Sequence, residues 1–211
     1  MIERFCNYLT TKIRKSMPEI DDERAEVINY GLQLVIGEVP KTFIMLLIAY
    51  ALGILKLSIL SFLVIMPYKT FAGGFHLKTH IGCILGTTLF YCGNVLLSQA
   101  IVFELFYIKQ IVVLTIWLFS MSMIKLYAPA DTENVPIISK KDRYFKQIMS
   151  YITMTITLII GLFIKDNIIS NMLIFGVLIE TLCITRFAYK LTNNKYGYEE
   201  YYKNELNQVL S

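Results

Sequence analysis

"TFIMLLIAYALGIL", residues 42–55, contains no charged side chain and no alternation of apolar and polar positions. Two further runs read the same way: "IVVLTIWLFSMSMI" at 111–124 and "ITMTITLIIGLFI" at 152–164. In hydrocarbon every backbone N–H and C=O must find its partner within its own segment, so uncharged runs without a strand period predict helices. The composition agrees. Of 211 residues 55% are hydrophobic and only 17% charged, outside the range of ordinary soluble domains. The expected fold class is an all-α integral membrane protein with about six transmembrane helices and an N-terminal amphipathic interfacial helix.

Outward from 42–55, residues 27–66 provide about two crossings at roughly 20 residues each, with Gly53 and Lys56 at the turn. Further crossings are expected near 80–98, 108–126, 147–164 and 168–188. The segment from Leu57 to about Ala72 is short and carries Pro67 and Lys69, so a tilted or re-entrant course is an alternative there. Ahead of the spans, Ile2, Phe5, Leu9, Ile13 and Met17 recur at helical spacing beside Arg4, Lys12, Arg14 and Lys15, the pattern of a helix lying in the interface. The acidic "EIDDE" at 19–23 suits the positive first turn of the next helix. Three regions result: an interfacial N-terminal region at 1–26, one transmembrane catalytic domain at 27–190, and a C-terminal tail at 191–211.

Charge sets the orientation. Lys and Arg gather in the N-terminal region, at Lys69 and Lys78, at Lys140, Lys141, Arg143 and Lys146, and from Arg186 onward. The intervening turns hold little more than Lys56, Lys109 and Lys165. With six spans the richer segments share one side, which the positive-inside rule makes the cytoplasm, together with both termini. A plasma-membrane location follows, and no cleaved leader is expected at the N-terminus. The same rule accounts for the formal charge of +4, so nucleic acid is not an expected partner. Cys6, Cys83, Cys92 and Cys183 show neither CxxC nor Cys/His metal spacing, so no metal, cofactor or disulfide framework is expected.

Against this background "FAGGFHLKTHIGCILG", residues 71–86, stands out for its titratable groups. A cysteine attacks carbonyls as the thiolate, which a helix N-terminus or a nearby cation favours. If Thr79 caps the third crossing, Cys83 lies in its first turn. Gly73 and Gly74 permit a sharp reversal just upstream, which would carry His76 back over Cys83. In an unbroken helix those two residues would lie about 10.5 Å apart along the axis, and His80, three residues from Cys83, would be the nearer imidazole. The spacing leaves both histidines open as the base. Gly82 and Gly86 form a GxxxG pair, expected to serve close helix packing and to make a homodimer reasonable.

"KTFAGGFHLKTHIGC" resembles the RxxxGGxHxxxxxxC signature of the accessory gene regulator B family, integral membrane cysteine endopeptidases that process the precursor of a cyclic signalling peptide in quorum sensing. "YAPADTENVPI" at 127–137, followed by "SKKDR", resembles that family's PAD-containing segment. The resemblance implies His76 as general base, Cys83 as nucleophile, and a short precursor with an amphipathic leader as substrate. It implies removal of the precursor's C-terminal tail through an acyl-enzyme thioester, followed by closure of a thiolactone or lactone ring. The family usually has arginine where this chain has Lys69, which keeps the charge without the bidentate fork.

Other residues are weaker candidates. Glu38, beside the "GEVP" break at 37–40, is an intramembrane carboxylate that either serves function or pairs with a lysine. Asp131 and Glu133 would orient His76 if their loop folds toward it. Lys140 and Lys141 would hold an acidic substrate tail, although topology alone explains such a cluster. Two readings of other classes are a small peptide transporter built on Glu38 and a broken first helix, and a non-catalytic scaffold. Neither would need the thiol or the imidazole.

Overall fold

The computed structural model describes residues 2–17, 19–77, 79–101, 103, 106–133 and 136–210. Pro18, Lys78 and the side chains of Ile2 and His80 lie outside what is described. Among the described residues the chain is helical throughout: α1 (Ile2–Ser16), α2 (Asp22–Ala51), α3 (Leu55–Ala72), α4 (His80–Ala100), α5 (Phe106–Tyr127), α6 (Lys140–Phe163), α7 (Asn167–Cys183), α8 (Arg186–Leu191) and α9 (Gly197–Leu210).

Local chemistry sets the helix ends. Asp21 accepts from the Arg24 amide and starts α2, Ser139 does the same for α6 and Asp166 for α7. The α2–α3 turn falls at Gly53, whose φ of +73° favours glycine. Pro40 lies inside a continuous α2 where the sequence predicts a break. α1 packs on α2 through Cys6 and Thr10, with Asn29 bonded to Asn7 at 2.8 Å. This face is offset from the predicted apolar stripe, whose Phe5 and Met17 remain exposed.

Among the described residues, four helices are long and apolar enough to cross a membrane: Leu55–Ala72, Ile81–Ala100, Tyr107–Tyr127 and Lys140–Phe163. These account for four of the about six crossings expected from the sequence. α2 carries Glu38 and Lys41 within its length, and α7, at 17 residues, spans about 25 Å of a hydrocarbon core of about 30 Å. The short segment 55–72 does form a full helix of crossing length.

α7 is the centre of the bundle, packed by α3, α4, α5 and α6. Met172 and Leu173 join a core with Met45, Ile65 and Val95, while Ile174 and Val177 join another with Tyr68, Ile116, Met154 and Leu158. A helix enclosed by neighbours is mostly apolar, as α7 is apart from Ser170, Asn171, Glu180 and Thr181. Gly176 lets α3 approach, since a Cβ there would overlap Ile65. The polarity is inverted: Ser58, Ser61, Asn94, Ser120 and Thr181 are buried, while Ile81, Leu89 and Phe163 face outward. Buried hydroxyls and amides join helices, as in Asn94 Nδ2 to Met172 O at 2.9 Å and Ser120 to Thr181 at 2.8 Å. Such a surface suits lipid.

Candidate functional site

α3 ends at Ala72, and the next two residues reverse the chain with φ of +81° at Gly73 and +139° at Gly74. The reversal is pinned from outside. The Ala130 amide donates to Ala72 O at 2.7 Å, and the Gly74 amide donates to Ala130 O at 2.9 Å, a parallel bridge between the double glycine and the PAD segment. A Cβ at Gly73 would lie 2.2 Å from Ala130 O, so glycine is required there. The two sequence motifs, far apart in the chain, are thus in backbone contact.

From Gly74 the chain returns over the start of α4. Thr79 is the cap, its hydroxyl accepting from the Gly82 amide at 3.0 Å and its carbonyl from the Cys83 amide at 2.9 Å. Cys83 therefore sits at the first turn, as the Thr79 reading expects. Its thiol donates to Leu77 O at 3.2 Å, and the Leu77 side chain lies against Gly82 and Gly86. Within the chain, the groove of the GxxxG pair seats Leu77. Residues 73–83 form a folded loop and a helix start, not a continuous rod.

The loop carries His76, exposed, with its carbonyl accepting from Asn194 Nδ2 at 2.8 Å. The surrounding protein, and then the charges of Lys69 and Lys41, push the imidazole below its ordinary value of 6.5, with Glu38 opposing. The shift favours the neutral imidazole. Glu38 is paired with Lys41 one turn on, the alternative to a free carboxylate. Among the described residues the His76 ring makes no hydrogen bond, and the thiol's bond goes to Leu77.

Lys69 reaches across to α7. Its Nζ lies 3.0 Å from Glu180 Oε2 and 5.3 Å from the Phe90 ring centroid. Glu180 is wholly buried and was not among the sequence candidates. The signal for it was available: one carboxylate in the otherwise uncharged "NIISNMLIFGVLIETLC", complementary to one cation near the end of α3. Next to this pair, Tyr68 and Thr181 bond at 2.9 Å, so consecutive residues tie α3 to α7.

Asp131 does not orient His76. Its buried carboxylate accepts, all at Oδ2, from the Ile137 amide at 2.8 Å, Arg143 Nη1 at 3.0 Å and the Tyr198 amide at 3.1 Å. Tyr189 donates its hydroxyl to the Ala130 and Asp131 carbonyls. Asp131 thus fastens the PAD segment to α6 and the start of α9. Glu133 is exposed, and Lys140 and Lys141 are exposed in the first turn of α6, without an ion pair among the described residues. No group of three metal-ligating side chains comes together among the described residues.

A sequence model of the family described as "Accessory gene regulator B" matches residues 6–184. A putative AgrB-like protein of Clostridium acetobutylicum is 24% identical over 97% of this chain and 94% of its own length. One from Listeria welshimeri is 26% identical over 94% of each chain. The accessory gene regulator protein B of Staphylococcus aureus is 26% identical over 89% of this chain and 94% of its own. No solved structure matches.

Proposed function

The chain belongs to the accessory gene regulator B family, and on that premise we propose that it is a membrane-embedded cysteine endopeptidase that trims and cyclises a signalling-peptide precursor. The observation that carries this reading is the fold-back itself: a double-glycine reversal seats the His76 loop on the capped helix start that bears Cys83. The active site and both termini face the cytoplasm on this reading, as the positive charges favour.

In the reaction Cys83 gives its proton to His76 and attacks the carbonyl at the junction of the precursor's tail. The carbonyl oxygen takes the negative charge. The Gly82 and Cys83 amides are already committed to Thr79, which leaves the His80 and Ile81 amides as the first-turn donors for that oxyanion. The tail's amine leaves with the proton from His76, and a thioester remains on Cys83. An internal cysteine or serine of the precursor then attacks the thioester, closes the ring and frees the thiol. Thioester exchange is nearly balanced while hydrolysis is downhill, so a site that holds the nucleophile close and limits water favours cyclisation. In the resting state the thiol bonds to Leu77 O, one residue from the base, and turns to the imidazole when substrate binds.

Co-expression with a precursor tests the assignment. Wild type and His80→Ala are expected to remove the tail, and Cys83→Ala and His76→Ala are not. Cleavage by Cys83→Ala would refute the peptidase reading; loss in His80→Ala with activity in His76→Ala would move the base to His80.

A further inference from the structure

Glu180 has 0% exposure within an apolar helix, where an ionised carboxylate is costly unless paired. Its partner, Lys69, is 39% exposed, so the pair has a sealed anion and an open cation. Only Oε2 is used. Oε1 has no hydrogen-bond partner among the described residues and lies 3.5 Å from where a side chain at Gly74 would begin. The Phe90 ring flanks the ammonium, and the Tyr68–Thr181 bond fixes the register of the two helices beside it. The Gly73 amide, at the foot of the His76 loop, donates to Lys69 O at 2.9 Å, and a cation at this end of α3 favours the neutral imidazole.

We propose that Glu180 is a positioning residue of the site: from inside the bundle it holds the Lys69 ammonium below the His76 loop, so that a fixed positive charge faces the imidazole. Glu180 acts only through Lys69. A fixed cation keeps the proton off His76 before reaction and makes the imidazolium a better acid toward the leaving amine afterwards. One carboxylate oxygen suffices for a lysine, and the idle Oε1 is the one that the second arm of an arginine would take. Among the described residues, the charged groups acting on the imidazole are Lys69 from α3 and Lys41 and Glu38 from α2; Cys83 of α4 adjoins its loop, and Glu180 and Cys183 of α7 lie against Gly74. The inference rests on the peptidase reading for what the imidazole does, but its test needs neither substrate nor cleavage.

The chain has two histidines, so ¹⁵N-histidine NMR of the full chain in lipid nanodiscs can follow the His76 titration, with His80→Gln as the assignment control. Lys69→Met should raise the midpoint by about half a unit or more, and Lys69→Arg should leave it within about 0.2 unit. Glu180→Met should also raise it, because the ammonium is no longer held in place. If Glu180 merely neutralises Lys69, the freed cation would lower the midpoint; that outcome, or no change, overturns the proposal. Should Glu180→Met fail to fold, Lys69→Met/Glu180→Met replaces the pair by apolar side chains and decides the matter. A midpoint equal to that of Lys69→Met supports action through Lys69, and a different one refutes it. Loss of precursor cleavage in Cys83→Ala is scored separately, so either idea can fail while the other stands.

Discussion

At the scale of single residues, His76 gives the sharpest dependence on conditions. Its midpoint lies below the ordinary 6.5, so the neutral, proton-accepting form dominates above that value and is lost as pH falls through the lowered midpoint. Precursor cleavage should be independent of this group above about pH 6.5 and fall roughly tenfold per unit on the acid side. A pH–rate profile of single-turnover cleavage measures this; an acid limb centred above 6.5 would contradict it. Gly73→Ala is expected to cost about 2–4 kcal/mol in thermal unfolding, since its Cβ would meet backbone at 2.2 Å and φ is +81°. Cys83, Thr79 and the double glycine were legible in the sequence because cap and reversal depend on neighbouring residues. Glu180 was visible as the one carboxylate of an apolar run, but its pairing was not, because its partner Lys69 lies 111 positions away.

At the scale of elements, the start of α4 and the PAD segment carry separate loads. Thr79→Ala removes the hydroxyl that satisfies the Gly82 amide and should cost about 1 kcal/mol of stability, with a matching loss of cleavage that Thr79→Ser restores. Asp131→Ala strips Arg143 of its carboxylate and two backbone amides of their acceptor, a loss of about 3 kcal/mol. Limited proteolysis should then release the segment beginning near Tyr196 before the bundle unfolds, because Asp131 is what fastens the Tyr198 amide. An unchanged digestion pattern would mean that the stacked Tyr189 and Tyr196 rings suffice. The helix boundaries follow the caps and turn glycines. The destination of the Gly82/Gly86 groove did not, since the same spacing fits a neighbouring helix or a returning loop, and Leu77 of the loop fills it.

At the scale of the whole molecule, small polar groups are buried beside two apolar cores joined by α7, while large apolar side chains cover the outside. The helical membrane class was legible because it needs only composition and the backbone's demand for internal hydrogen bonds. The number of crossings was harder to read: Glu38 and Lys41 interrupt the apolar run of the continuous helix α2, and α7 is apolar through enclosure by protein as much as by lipid. Reporter fusions at both termini should report the cytoplasmic side; both on the outside would reverse the orientation of the site, and a split result would contradict an even number of crossings. The most direct measurement is intact-mass analysis of the chain mixed with a precursor whose internal nucleophile is replaced by alanine. The expected result is an adduct equal to the precursor without its tail, less one water. It should map to Cys83, be cleaved by neutral hydroxylamine and be absent in Cys83→Ala. Tail release without any adduct on Cys83, or an adduct that persists in Cys83→Ala, would contradict the account.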